Sequence, residues 1–267
     1  MTIRRWILRA CLGVLSATLV AVSLGFAQSQ ETVNAIITQR LATLLRTLTP
    51  APVIVVPNAI DWGNWRRVCQ AAPRPTPALT IGWAGGKRLD TDLLAMAEAW
   101  ARLARRFPAV EFVVVGHHAA VLREAVPAAR LHLIPWLPIT TYPRAYQGID
   151  IGCAPLADTP FNRCKSAIKW QEYSAAGAAT VASPTVYGQA IRDGREGLLA
   201  STAGEWEAAL ARLIQEPTWR AQLAGRAAKR VRERYSLATH LAEWPAAWET
   251  LYAAFRAGAA RTRQAVG

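Results

Sequence analysis

From Leu79 onward the chain alternates short apolar runs, several rich in β-branched residues, with longer stretches of helical periodicity. The apolar runs are LTIGWA at 79–84, EFVVV at 111–115, LHLIPW at 131–136, IDIGCAPL at 149–156, ATVAS at 179–183 and GLLAS at 197–201. Between them, Thr91 to Phe107, Ala119 to Val126, a stretch around Tyr142 to Tyr146 and the segment from Phe161 onward have helical character, and long helices fill most of the chain after Ser201. Strand and helix in strict alternation specify repeated βαβ units. The fold class is therefore α/β: a mostly parallel sheet with helices on both faces. In such a sheet ligands bind beyond the carboxyl ends of the strands. The loops to examine are Gly85-Gly86-Lys87-Arg88, Gly116-His117-His118, Pro135-Trp136-Leu137 and Pro155 to Lys165. Neither G-x-G-x-x-G nor G-x-x-x-x-G-K-[ST] occurs, which argues against the ordinary dinucleotide and P-loop classes.

The part before this alternation is organised differently. Residues 30 to 48 place Val33, Ile36, Ile37, Leu41, Leu44, Leu45 and Leu48 at helical spacing, and Pro50 and Pro52 end the pattern. PVIVVPNAID follows as a short buried strand with a Pro-Asn turn, and AAPRPTPA at 71–78 has the composition of a linker. Arg4, Arg5 and Arg9 precede an uncharged apolar run from Ala10 to Ala27. Alone, that run is a signal peptide or a marginal membrane anchor. Cys11, Cys69, Cys153 and Cys164 have neither disulfide-framework nor zinc-ligand spacing, which fits a reducing compartment. The net charge of +13 has several readings: nucleic acid, an anionic membrane surface, a phosphorylated ligand, or simply a solvated helix face near the C-terminus. No nucleic-acid module accompanies it.

One stretch stands apart: FNRCKSAIKWQEYSAAGAATVAS, Phe161 to Ser183. On a helix, Lys165, Lys169 and Glu172, spaced by four and three residues, share one face. Phe161, Cys164, Ile168 and Ala175 supply the complementary buried face. The helix starts at the ligand edge of the sheet, where a helix N-terminus and a lysine suit a phosphate. A carboxylate further along suits a pair of sugar hydroxyls; the plainer alternative is an ordinary surface ion pair. The residues from Ser174 to Gly177 are small, as expected where ATVAS must return close beneath the helix.

PNAID at 57–61, the strand-Gly-Gly-Lys opening at 81–87, VVVG at 113–116, KSAIKWQEYSAAGAATVAS and IRDGREGLL at 191–199 occur in the order and spacing of one known family. Over roughly residues 50 to 255 the chain resembles the C-terminal, donor-binding domain of GT-B glycosyltransferases, closest to the large group 1 (retaining) family. The resemblance implies a Rossmann-like domain over 51–255. It makes residues 1–50 an acceptor-domain remnant or membrane anchor, and 256–267 a basic tail. It implies transfer of a glycosyl group from a nucleoside diphosphate sugar to an acceptor, lipid-linked or polysaccharide, without a metal or other cofactor. It also implies a cytoplasmic location, peripheral at the inner membrane face.

The resemblance also distributes roles. Of the family's two glutamates in E-x7-E, the ribose-binding second one falls on Glu172. The first, near the donor sugar, falls on Cys164, a departure from the pattern, since a thiol does not accept hydrogen bonds as a carboxylate does. Lys87 or Arg88 falls near the pyrophosphate contacts. Lys165 lies beside the phosphate, with Ser166 as a hydroxyl partner and Lys169 on the same helix. Trp136 sits in the base-binding loop, where a ring stacks on a base, or else in the core. No catalytic residue is assigned. The alternative function is a non-catalytic or truncated nucleotide-sugar-binding module that needs a separate acceptor domain. Three smaller motifs have structural readings: Asp90-Thr91-Asp92 as a helix cap, His117-His118 as an exposed loop pair, and Asp158 and Asn162 as turn residues.

Overall fold

Parallel pairing organises every ladder among the described residues. The computed structural model describes residues 34–36, 38–48, 53–70, 76–86 and 90–266. The apolar run at 10–27, the linker residues 71–75 and the Lys87–Arg88 pair lie outside these residues. In chain order the elements are β1 (Asn34–Ile36), α1 (Gln39–Leu48), β2 (Val53–Val55), α2 (Trp62–Gln70), β3 (Thr80–Gly85), α3 (Leu94–Arg106), β4 (Glu111–Gly116), α4 (Ala120–Ala125), β5 (Leu131–Ile134), β6 (Ile151–Ala154), α5 (Pro160–Arg163), α6 (Ile168–Ala176), β7 (Ala179–Ala182), α7 (Pro184–Tyr187), β8 (Leu198–Leu199), α8 (Ala203–Gln215), α9 (Pro217–Arg234), α10 (Leu237–His240) and α11 (Glu243–Val266). Contacts divide the chain into two compact units: Met1–Ala59 with Cys164–Ser166 and Leu237–Gly267, and Ile60–Arg163 with Ala167–Ser236.

In the first unit β1 and β2 pair in parallel, with Asn34 opposite Val53 and Ile36 opposite Val55. Residues 30–48 therefore do not form one helix. The β-branched run Ile36-Ile37-Thr38 favours extended backbone, and Thr38 starts α1 as a cap, its Oγ1 accepting the Leu41 N–H at 3.2 Å. The same hydroxyl donates to the Cys164 carbonyl at 2.8 Å. Ala42 and Val53 are buried here, as are Ala247 and Leu251 of α11, while Leu241 and Tyr252 are exposed.

The second unit is built on a six-stranded sheet of order β5-β4-β3-β6-β7-β8, every neighbouring pair parallel. The strands expected from the sequence all form. Period-2 alternation sends successive side chains to opposite faces, and both faces are buried. Phe112 and Val114 join Ile81, Trp100 of α3 and Trp206 of α8 on one side. Val113 and Val115 join Tyr146, Trp170 and Tyr173 of α6 and Val231 of α9 on the other. After β3 the chain adds β4 and β5 on one flank, then crosses to lay down β6, β7 and β8 on the other. The order reverses between β3 and β6, which is where such sheets open a ligand crevice. Two expected helices differ in detail. Pro143 confines Tyr142–Tyr146 to a 3₁₀ turn. The helix expected from Thr91 begins at Leu94, with Leu93 as an N-cap that makes no side-chain bond. Among the described residues no helix is long and apolar enough to cross a membrane.

Candidate functional site

At the switch point the β3–β6 ladder runs from Ile81 opposite Ile151 to Trp83 opposite Cys153 and then stops. Past that register the hydroxyl of Tyr173 stands between the strands. It accepts the Ala84 N–H at 3.1 Å and donates to the Cys153 carbonyl at 3.1 Å. The ring reaches this place because Gly152 has no side chain: a Cβ there would lie 2.3 Å from the Tyr173 ring. Tyr173 thus closes the floor of the crevice and satisfies backbone groups that the parting strands leave behind.

On the same helix lies a buried polar cluster. The Lys169 ammonium donates to Glu172 Oε2 at 2.7 Å, to the Tyr142 hydroxyl at 2.9 Å and to the Tyr146 hydroxyl at 3.0 Å. Tyr146 also donates to Glu172 Oε2, at 2.5 Å, and lies 3.0 Å from the Tyr142 hydroxyl. Trp65 of α2 walls the cluster edge-on, its ring centroid 5.1 Å from that of Tyr146 and 6.1 Å from that of Tyr142. The side chains of Lys169 and Glu172 are 11% and 4% exposed, so this is an interior ion pair with its hydrogen bonds supplied. Glu172 Oε1 has no hydrogen-bond partner among the described residues.

Electrostatics follow from that geometry. Burial works against the Lys169 ammonium, but the Glu172 carboxylate and Tyr142 outweigh it and raise its pKa above the usual lysine value. Burial, and then the negative charge of Glu172, raises Tyr142 and lifts Tyr146 well above an ordinary phenol. Burial, with Cys153 next, does the same to Tyr173. A phenol with a raised folded-state pKa contributes stability that is complete below the unfolded value of about 10 and is lost as pH rises toward the folded value. We therefore expect alkaline unfolding to set in above about pH 10. Tyrosinate absorbance, followed with circular dichroism, checks this: these three phenols should ionise only as native ellipticity is lost. Full tyrosinate absorbance in a still-folded chain would refute the burial of the cluster.

The rim is made by glycines and one indole. Gly116 has φ +87°, and a Cβ there would lie 2.7 Å from the Gly85 carbonyl oxygen and 3.2 Å from the Trp136 ring. At Gly86 the nearest atom would again be Trp136, at 3.5 Å. Trp136, after β5, thus lies across the bare glycines that end β3 and β4. It is 55% exposed, and its plane is within 23° of the Tyr142 ring. It is not a core tryptophan. His118 binds the Ile134 carbonyl through Nε2 at 3.2 Å, tying the loop after β4 to β5.

The loop after β6 is fixed by a pair that sequence reasoning assigned to a cap and a turn. Asp92 Oδ1 accepts the Asn162 side-chain amide at 2.6 Å and the Ala157 N–H at 3.0 Å. Both side chains are buried. Asp92 therefore caps no helix; it fastens the loop after β6 to the start of α3. Asp158 pairs with Arg163. Nothing in the spacing of 92 and 162 announces the contact, because it depends on two loops meeting at the sheet edge.

The expected lysine–lysine–glutamate face forms only in part. Helix α6 starts at Ile168, so Lys165 precedes it and only Lys169 and Glu172 lie on the helix. Phe161 is exposed, and Ala175 is buried. Lys165 and Ser166 group with the first unit, where Ser166 Oγ accepts from Asn58 at 2.7 Å. At the other end of α6, Ser174 and Ala175 are fully packed, but Gly177 is not small for lack of room: nothing lies within 4 Å of its Cβ position. Its φ of +88° is the left-handed C-cap, with its N–H on Ser174 and the Ala178 N–H on Tyr173. The IRDGREG segment folds as a turn around buried Glu196, which accepts from Arg230 at 3.0 Å while its carbonyl takes the Trp170 Nε1 proton at 3.1 Å. Sequence reasoning missed Tyr142, Tyr146 and Tyr173. The one available signal was the adjacency of Glu172 and Tyr173 to Lys169 in a run that is neither apolar nor freely polar.

A six-stranded parallel sheet with a switch point between β3 and β6 and helices on both faces defines a Rossmann-like α/β domain. The family model described as Glycosyl transferases group 1 matches residues 79–216, just over half of the chain, and the chain belongs to that family. Solved GT-B glycosyltransferases share its fold. Sucrose-phosphate synthase from Thermosynechococcus elongatus aligns with TM-score 0.62 and 16% identity, over 82% of this chain and 58% of that one. HepE of Anabaena, solved with UDP-glucose, gives 0.64 and 12%, over 80% and 63%. TarM of S. aureus, a variant solved with UDP, fondaparinux and alpha-GlcNAc-glycerol, gives 0.61 and 12%, over 82% and 43%. At these identities the likeness is one of fold, and the chain spans about half the length of these structures. Among curated proteins nothing matches the sequence.

Proposed function

We propose that the chain binds a nucleoside diphosphate sugar at the β3–β6 crevice and serves glycosyl transfer from it. The observation that carries this reading is Glu172: a buried carboxylate on the helix that follows β6, with one oxygen saturated and the other unpartnered among the described residues. In this reading Oε1 takes the ribose hydroxyls and Trp136 stacks on the base. The N-terminus of α6 and Lys87 or Arg88 take the diphosphate, neutralising charge that develops on the leaving group. Because side-chain cations carry that load, the reading asks for no metal. The acceptor is a lipid-linked or polysaccharide hydroxyl, and the +13 net charge supports work at an anionic cytoplasmic membrane surface.

Calorimetric titration with UDP, GDP and ADP tests this reading, and saturable binding of one of them is expected. Alanine substitution of a base-stacking aromatic costs about 1–3 kcal/mol, so Trp136→Ala should weaken that binding about tenfold. Since Trp136 is 55% exposed, Tm should hardly move. No saturable binding of any of the three would sink the proposal. The second reading, a binding module without transfer of its own, is favoured by Cys164, which stands where the family has its first glutamate. Turnover of a nucleotide sugar by this chain alone would rule it out.

A further inference from the structure

We propose that Lys169 is a positioning residue for donor recognition. It holds Oε2 and so fixes the rotation of the Glu172 carboxylate, with Oε1 left to the ligand. This inference rests on the donor-binding reading above. It begins with the proton count of the cluster. Lys169 has three ammonium protons, and three acceptors lie within 3.0 Å: Glu172 Oε2, Tyr142 and Tyr146. Tyr146 spends its own proton on Oε2 and lies within reach of the Tyr142 hydroxyl. Two donors on Oε2 hold the carboxylate, and Oε1 has no hydrogen-bond partner among the described residues.

Lys169 is the one cation in contact with this carboxylate among the described residues. The other ionisable groups that face it are Tyr142 and Tyr146 from the 3₁₀ turn and Tyr173 from its own helix. On the elements packed against α6, Cys69 of α2 bonds Gln147, Arg66 lies over Trp62 and Arg67 bonds Asn64. On α9, Arg230 pairs with Glu196 and Arg226 bonds the Arg195 carbonyl. Cys153 of β6 is buried, and its thiol is pushed up to about 12, so it carries no charge at neutral pH.

The proposal makes a prediction that a merely structural role does not. Binding of whichever of UDP, GDP and ADP the full chain takes is measured at neutral pH for each variant. Lys169→Met should lose about tenfold in affinity. Glu172→Gln should bind weakly, and adding Lys169→Met to it should cost nothing more, because Lys169 acts on the ligand only through the carboxylate. Tyr146→Phe keeps the ammonium and should lose a few-fold in affinity; it remains readable if Lys169→Met does not fold. A Lys169→Met affinity within twofold of wild type overturns the positioning role and leaves donor binding standing. A further loss when Lys169→Met is added to Glu172→Gln overturns it too. If the wild type binds none of the three nucleotides, the donor-binding reading fails and the inference falls with it.

Discussion

Replacing Gly152 by alanine should cost the domain about 3 kcal/mol or more, a fall in Tm of roughly 6–12 °C. The added Cβ would sit 2.3 Å from Cγ and Cδ1 of Tyr173, far inside contact distance. Neither partner can step aside cheaply. Gly152 is paired on both sides, to Gly82 of β3 and Thr180 of β7. Tyr173 is fully buried, and its hydroxyl holds the Ala84 N–H and the Cys153 carbonyl. Moving the ring therefore adds unpaired backbone groups, about 1–3 kcal/mol each, to the overpacking. Thermal unfolding of Gly152→Ala in the wild-type and Tyr173→Leu backgrounds isolates the clash. The glycine substitution should be nearly harmless once the ring is gone. An equal loss in both backgrounds would show that the penalty belongs to the strand backbone.

Much of this architecture was legible because it is periodic. The strands from LTIGWA to GLLAS carry the length and branching of buried parallel strands, and alternation alone places Phe112 and Val114 opposite Val113 and Val115. Binding loops at the carboxyl edge follow from topology, which is why Trp136 and the glycines at 85, 86 and 116 were identified before their contacts were known. The failures have specific causes. Residues 30–48 carry a helical apolar pattern, but Ile36-Ile37-Thr38 is a β-branched run with its own cap, and local backbone preference overrode the pattern. Gly177 was explained by crowding, whereas its φ demands glycine in open space. A sequence marks both kinds of glycine with the same letter, and of Gly152 and Gly177 it is Gly152 that answers to crowding. Asp92 and Asn162 meet through two loops brought together by the sheet, an association no local pattern encodes. For Lys169 and Glu172, spacing identified the pair but not its burial, because the tyrosines that complete it come from a 3₁₀ turn more than twenty residues earlier.

Glu172→Ala should be the most damaging single change within the polar cluster, about 3–5 kcal/mol, because it strands an ammonium in the interior. Lys169 would keep Tyr142 and Tyr146 as neutral acceptors and lose the only carboxylate that offsets its burial. Glu172→Gln should cost less, since an amide oxygen still accepts from Lys169. A charge-free core tests the origin of the loss: Lys169→Met with Glu172→Leu should regain most of it, as buried pairs replaced by apolar groups of similar volume often do. The pH dependence gives an independent check. In the wild type, Glu172 holds the Lys169 pKa up, so its contribution is complete below the unfolded value of about 10.4 and is lost only above it. In Glu172→Ala the hydrogen bond to Tyr142 remains but the carboxylate is gone, so burial, the largest influence on Lys169, brings the folded-state pKa below the unfolded one. The unfolded chain then binds the extra proton, and stability must rise with pH. Denaturant midpoints should therefore show the deficit of Glu172→Ala shrinking between about pH 7 and pH 9.5, below the window in which the buried phenols begin to act. A deficit that stays constant over that interval would mean that Lys169 is not held in the interior by Glu172.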